Sequence, residues 1–334
     1  MNMQQIRVGV AGATGYAGQE LVRLLGRHPN ANLTVAMAST DADKTLPQFA
    51  GIWDGEISAF SINELVEQTD TVFLALPEAT AAEVGPVLLS HGVRVFDLSG
   101  AFRLRNESAR ARWYPETPAG VTAVYGLTEH NRGALRDAQY VACPGCYPTA
   151  ALLALQPLVQ AGLVMQDIII DAKSGISGAG KSPSAQTHFS ERHGNVTAYG
   201  VFAHRHTAEI EQELAKSVTF VPHLVPMDRG ILETIYIHLG KHDLNGHDIN
   251  TSTIEKIFEG AYADAPFIRV RTSVLPDVKA VAYTNFCDIG WKLEEDGTRM
   301  ILVSCLDNLL KGAAGQAVQS FNVASHFNER DGLL

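Results

Sequence analysis

The run Ile6-Arg7-Val8-Gly9-Val10-Ala11-Gly12-Ala13-Thr14-Gly15-Tyr16-Ala17-Gly18 decides the reading of this chain. Ile6 to Ala11 is a short β-rich stretch, and the glycines at 12, 15 and 18 then open a helix expected over Gln19 to Arg27. Strand, glycine turn and helix in that order are the entry to a dinucleotide-binding unit. Gly12 permits the tight turn, Gly15 lets the backbone approach a pyrophosphate, and Gly18 allows close packing of helix on strand. Thr14 and Tyr16 lie inside the same turn and join the glycines as candidate cofactor contacts. The spacing is G-x-x-G-x-x-G, so the competing reading is a turn that packs closely and binds nothing.

Outward from this turn the pattern repeats. Leu33 to Ala38, Thr71 to Leu76 and Val93 to Asp97 read as strands, with a helix over Ala79 to Ser90. Apolar strands alternating with helices predict a Rossmann-type parallel sheet covered on both faces. At the end of the second strand Ser39 and Thr40 are small donors, and Lys44 can neutralise a ribose 2′-phosphate, which favours NADP(H); Asp41 argues the other way. Arg103 ends the run Asp97-Leu98-Ser99-Gly100-Ala101-Phe102-Arg103, just past a strand's carboxyl end, where open α/β sheets bind ligands. Its planar fork suits a phosphate, against the alternative of a surface or ion-paired arginine.

Val141-Ala142-Cys143-Pro144-Gly145-Cys146-Tyr147-Pro148-Thr149 places a second turn between a strand ending near Ala142 and an apolar helix over Ala150 to Leu163. Cys146 then stands at the helix start, where the N–H groups and the positive dipole end favour a thiolate and an adjacent oxyanion. A core cysteine, a C-x-x-C redox pair with Cys143 and half a zinc site compete with the nucleophile. Further on come a strand over Asp167 to Ala172 and a glycine–serine loop, Lys173 to Lys181. His204-Arg205-His206 opens a helix running to about Lys216. The two histidines are open to metal, base or loop readings. Pro222 to Pro226, Ile231 to Gly240, Phe267 to Arg271, Ala280 to Ile289 and Met300 to Ser304 read as strands with few helices between them. This predicts a second, α+β domain for catalysis and dimerisation, so that the chain forms a homo-oligomer, dimer or tetramer. The expected division is residues 1–147 for the first domain and 148–306 for the second, with a tail helix over 307–330 packing back on the first.

The bulk properties narrow the partners. Lys plus Arg number 26 against 36 Asp plus Glu in 334 residues, a formal charge of −10, which disfavours nucleic acid and leaves a small anionic substrate and phosphate. No apolar run reaches the length of a membrane span, the N-terminus lacks a signal-peptide pattern, and four cysteines make no disulfide framework. A cytoplasmic protein is expected. Cys287 and Cys305 read as core.

With these residues laid out, the chain resembles the N-acetyl-gamma-glutamyl-phosphate reductases, arginine-biosynthetic members of the semialdehyde dehydrogenase superfamily. The markers run from Val8 to about Val318: the glycine turn, Asp97 to Arg103, Tyr125-Gly126-Leu127, Pro144 to Thr149, Ser177 to Gly180, His204 to Ile210, Pro222 to Met227 with Arg229-Gly230-Ile231, and Asp307 to Ala313. The resemblance implies NADPH-dependent reduction of an acyl phosphate through a Cys146 thioester. His206 would be the acid/base, Glu209 a residue near the site, Arg103 the phosphate ligand and Asn308 a neighbour of the nicotinamide. Ser177 and Gly178 are expected beside the cofactor, and Ser99 and His204 beside the substrate. The family commonly has Asn where Cys143 stands, Ala-Asp where Gly100-Ala101 stand, and Pro where Ala208 stands. A reductase of aspartyl or aminoadipyl phosphate and a non-catalytic NADP sensor are the rival readings.

Overall fold

Residues 5–39, 46, 49–114, 117–118, 120–163, 165–240, 242, 246 and 248–334 are described by a computed structural model. The chain divides into two units, Met1–Gly145 with Ala313–Leu334, and Cys146–Gly312.

The first unit runs β1 (Ile6–Ala11), α1 (Tyr16–Leu25), β2 (Ala31–Ala38), β3 (Ile57–Ala59), α2 (Ile62–Gln68), β4 (Thr71–Leu74), α3 (Glu78–Ser90), β5 (Arg94–Asp97), α4 (Glu107–Trp113), β6 (Val124–Tyr125), α5 (Thr128–Leu135) and β7 (Tyr140–Ala142). The strands form one sheet in the order β3-β2-β1-β4-β5-β7-β6, and every pairing is parallel. Parallel neighbours need crossover connections, and α1 supplies the one between β1 and β2, α3 the one between β4 and β5, and α5 the one between β6 and β7. The strands are correspondingly dry: every residue of β4 is buried. On α1 the buried Gly18, Leu21, Val22 and Leu25 follow the i, i+3, i+4, i+7 spacing of a single core-facing stripe.

In the second unit come α6 (Cys146–Gln160), β8 (Met165–Ser174), α7 (Phe189–Arg192), β9 (Thr197–Ala198), α8 (Arg205–Leu214), β10 (Thr219–Leu224), β11 (Ile231–Leu239), α9 (Thr251–Tyr262), β12 (Ile268–Arg271), β13 (Cys287–Leu293) and β14 (Arg299–Leu306). Their sheet, ordered β12-β13-β14-β11-β8-β10-β9, is mixed. β8 with β10 and β12 with β13 are parallel, and the other pairings are antiparallel. β11 alternates along its length, burying Ile231, Glu233, Ile235 and Ile237, while Tyr236 and His238 on the other face are exposed. Helices α6 and α8 pack on each other, and α6 also packs on β11 and β14.

A wide helical turn, Leu310–Ala314, leads into α10 (Gly315–Ala324), which belongs to the first unit. There Phe321 meets Phe73 and Phe96 edge-on at 5.7 and 5.9 Å. The polar side chains of α10 are buried and paired: Gln316 Nε2 donates to the Gly126 carbonyl, and the Ser320 hydroxyl to the same oxygen.

One expectation is corrected. Ala280 to Ile289 does not form one strand. Asp277 caps a short turn over Val278–Ala280, and Tyr283 takes a φ of 61° while donating its N–H to Asp307 Oδ2, so the strand begins only at Cys287. Between β11 and β12 of this stretch lies α9, capped by Asn250 and burying Ile254, Phe258 and Tyr262 at four-residue spacing. Cys287 and Cys305 are fully buried, as expected of core residues.

Candidate active site

In the first unit the glycine turn carries the geometry a pyrophosphate needs. Gly12 has a φ of 89°, and a Cβ there would overlap the Ala75 carbonyl. A Cβ on Gly18 would overlap the Gly12 carbonyl oxygen, so this glycine is required for α1 to lie against the turn. Gly15 differs. A Cβ on it would meet only the Gly12 oxygen, at 3.5 Å, so the protein leaves the space over this backbone open. Gly15 is also the N-cap of α1 and offers no side chain to the first-turn N–H groups. The three positions thus match the three roles a dinucleotide asks of them, and the residues fit such a cofactor. Thr14 accepts a bond from Gln19 Nε2 through its carbonyl, Tyr16 begins α1, and Ser39 is exposed at the end of β2. Thr40 and Lys44, and with them Asp41, lie outside the described residues.

Arg103 is buried at 6% exposure, its Nε donating to the Cys143 carbonyl and its Nη2 to the Leu98 carbonyl, each at 2.7 Å. Ser99 is buried too. Its N–H donates to Asp97 Oδ1 and its hydroxyl accepts from the Ala101 N–H, so it shapes the turn that presents Arg103. The Cys143 thiol is fully buried. Burial pushes it well above its ordinary range, with the Asp97 charge adding to the effect, and all four cysteines are free.

In the second unit Cys146 is the first residue of α6 and is partly exposed. Pro148 sits in the first turn, where its missing N–H breaks no helical bond. Tyr147 is buried beside the nucleophile candidate and ties it to α8: its ring lies 5.9 Å from both His204 and His206. His204 caps α8, its Nδ1 accepting the His206 N–H at 3.2 Å, and the two imidazoles meet edge-on at 4.8 Å. Burial, aided by the Arg205 charge, lowers the His204 pKa to about 4, so this ring is neutral at neutral pH. His206 and Glu209, three residues apart on α8, are both buried. The Tyr147 and Tyr199 hydroxyls hydrogen-bond at 3.2 Å. Burial pushes Tyr199 up to about 12, with a further push from Cys146. Tyr199 and the hydroxyl pair were missed in the sequence; the signal for Tyr147 was its place directly after Cys146.

Asn308 is buried and works as a brace. Its Oδ1 accepts the Gly230 N–H at 2.7 Å, and its Nδ2 donates to the Ser177 hydroxyl at 3.0 Å. Gly178 lies against the same amide, where a Cβ would come 3.7 Å from Nδ2. Among the described residues no three His, Cys, Asp or Glu side chains gather as a metal site.

Family models match both halves of the chain: "Semialdehyde dehydrogenase, NAD binding domain" over residues 7–138, and "Semialdehyde dehydrogenase, dimerisation domain" over 146–308. The N-acetyl-gamma-glutamyl-phosphate reductase of Shouchella clausii is 43% identical over 343 residues, covering 98% of each chain. That of Bacillus subtilis is 40% identical over 344 residues with the same coverage. The chain belongs to the N-acetyl-gamma-glutamyl-phosphate reductases of the semialdehyde dehydrogenase family. Solved members share the fold at low identity. Aspartate semialdehyde dehydrogenase II of Vibrio cholerae superposes with a TM-score of 0.76 at 18% identity, over 97% of this chain and 99% of that one. The Candida albicans aspartate semialdehyde dehydrogenase, solved with NADP, gives 0.70 at 16%, over 96% and 99%. A Cβ at Gly100 would overlap the ring of the buried Tyr114, so even an alanine has no room at this position.

Proposed function

We propose that this chain reduces N-acetyl-L-glutamyl 5-phosphate to N-acetyl-L-glutamate 5-semialdehyde and phosphate with NADPH, the reductive step of arginine biosynthesis, through a thioester on Cys146. The observation that carries the reading is a partly exposed cysteine opening a helix beside a histidine-capped helix, in a chain 43% identical to named reductases over 98% of its length. The Cys146 thiolate attacks the acyl carbonyl, the helix start stabilises the oxyanion, and the carbon–oxygen bond to phosphate breaks to leave the thioester. NADPH, for which the glycine turn is suited, supplies a hydride. Once that hydride is on the thioester carbon, the tetrahedral oxyanion collapses, the carbon–sulfur bond breaks, and His206 returns a proton to sulfur. Glu209 orients His206, Arg103 takes the phosphate, and Asn308 holds Ser177 in place. NADP(H) rather than NAD(H) rests on Ser39, Thr40 and Lys44 together with the family.

The chain acts in the cytoplasm as a homo-oligomer. Among the described residues no helix is long and apolar enough to cross a membrane. The open face of the second sheet exposes Ile169, Tyr236 and Ile301 at 39, 42 and 38%, an apolar surface suited to a second copy.

The test is phosphate-dependent NADP reduction by the purified chain with N-acetyl-glutamate semialdehyde, run beside aspartate semialdehyde. Selective turnover of the first supports the assignment. Equal or preferred turnover of the second overturns it, and NADPH binding without any turnover points to a sensor.

A further inference from the structure

Arg103 owes its position to two carbonyls that come from different strands. The Leu98 oxygen follows β5 and the Cys143 oxygen follows β7, and each accepts one guanidinium nitrogen at 2.7 Å. The two strands run in parallel with Asp97 opposite Ala142, and the Asp97 carbonyl accepts the Cys143 N–H at 2.8 Å. The side chain of the same aspartate, wholly buried, spans the remaining gap. Its Oδ1 accepts the Ser99 N–H at 2.7 Å, which sets the turn after β5, and its Oδ2 accepts the Tyr140 hydroxyl of β7 at 3.0 Å. That hydroxyl has little freedom. A Cβ on Gly85 of α3 would overlap it, and the Phe102 ring packs edge-on against the Tyr140 ring at 4.9 Å.

Such a carboxylate touches no ligand at 0% exposure, yet it links the two turns whose carbonyls aim the arginine. We infer that Asp97, clamped by Tyr140, is the positioning residue of the phosphate-binding arginine: it fixes the spacing between the Leu98 and Cys143 carbonyls and so the plane and reach of the Arg103 fork. This rests on the assignment of phosphate to Arg103. Hydrogen bonds to charged groups are worth more than neutral ones, and a buried carboxylate robbed of one donor shifts to recover it. The burial of Asp97 works against its ionised form, while Ser99, Tyr140 and the Arg103 charge work for it, so the loss of one donor is felt directly.

The experiment measures the reverse reaction of the full chain with inorganic phosphate, NADP and N-acetyl-glutamate semialdehyde, for wild type, Tyr140→Phe, Asp97→Asn and Arg103→Lys. Tyr140→Phe removes a single hydroxyl from a ring whose packing stays in place. Its KM for phosphate is expected to rise about tenfold, with kcat and the KM values for NADP and aldehyde within about twofold of wild type. Asp97→Asn is expected to move the phosphate KM further in the same direction. A merely structural role lowers kcat, or the active fraction, without singling out phosphate, and that result in Tyr140→Phe overturns the inference. An unchanged phosphate KM in Tyr140→Phe beside a raised one in Arg103→Lys also overturns it, while the phosphate reading stands. An unchanged phosphate KM in Arg103→Lys removes that reading, and the inference with it.

Discussion

Replacing Glu233 by glutamine should flatten the pH dependence of stability, and the size of the effect follows from where this side chain lies. Strand register sets Ala172 of β8, Glu233 of β11 and Ser304 of β14 abreast on the buried face of the second sheet. Glu233 is 0% exposed, and neither carboxyl oxygen has a hydrogen-bond partner among the described residues. Burial raises its pKa well above the ordinary 4.5, against a smaller opposing pull from the Lys173 charge. The folded chain therefore keeps a proton that the unfolded chain has released. Between pH 4.5 and the raised folded value the native state binds more protons than the unfolded one, so stability is full below 4.5 and falls as pH rises through that window. One proton gives a limiting slope of roughly 1 kcal/mol per pH unit. Glutamine has no proton to release. It brings two amide donors into the same place, which costs about 1–3 kcal/mol independently of pH, so the slope and not the offset is the readout. Urea unfolding of both chains at half-unit steps from pH 4 to 9 measures it. The variant should gain on the wild type by roughly 1 kcal/mol per unit above pH 5. Asp97, whose pKa burial also raises, tilts both curves alike and drops out of the difference. Parallel curves across the whole range would refute the argument.

Other perturbations have equally definite outcomes. Cys146→Ser should abolish turnover and leave NADPH affinity within about twofold in a fluorescence titration, since catalysis and not cofactor binding is assigned to the thiol; joint loss of both contradicts the role. Gly15→Ala should fold with an unchanged melting temperature but bind NADPH at least about tenfold more weakly, because its methyl meets open space in the protein and the pyrophosphate in the complex. Gly18→Ala should instead lose stability, its methyl overlapping the Gly12 carbonyl, and a melting temperature equal to wild type would contradict that packing. His204→Ala removes the cap of α8 and should cost about 0.5–2 kcal/mol at pH 8, with His204→Asn recovering most of it. His204 has a folded pKa lowered from 6.5 to about 4, so its contribution is present above 6.5 and is lost as pH falls through that interval. Thermal melts of His204→Asn should accordingly show a shallower acid limb than wild type.

The first sheet was legible because its strands are buried on both faces and so appear as short apolar runs, such as Ile6 to Ala11 and Thr71 to Leu74, separated by glycine or helix signals. The second sheet was harder. Thr, Ser and Gly dilute the helical signal over Thr251–Tyr262, and its spacing emerges only from Ile254, Phe258 and Tyr262. The false strand from Ala280 was a matter of tertiary override: the side chain of Asp307, more than twenty residues on, captures the Tyr283 N–H and turns the chain. For the site, the placing of Cys146 at a helix start could be read from one local turn, whereas His206 and Glu209 came only through the resemblance, and that both are buried on one helix is what the structure adds. Pairs joined only by the sheet could not be read. Nothing local links Asp97 to Tyr140, or shows that Glu233 faces inward while Thr234 faces the other way.

Cys146 and Gly312 are the two ends of the second unit, and a Cβ built on Gly312 would lie 2.8 Å from that of Cys146. The segment between them therefore leaves and rejoins at a single point, in the manner of a module inserted into a host at one bond. Closing the first unit would require joining Gly145 to Ala313, neighbours in sequence of two residues already in contact, so a linker of one or two residues suffices. The proposed nucleophile stands on that scar. Cys146 is the first residue of the inserted unit after the host's last glycine, so an exchange of residues 146–312 at this junction carries the proposed nucleophile with it in one piece and leaves Arg103 behind in the host.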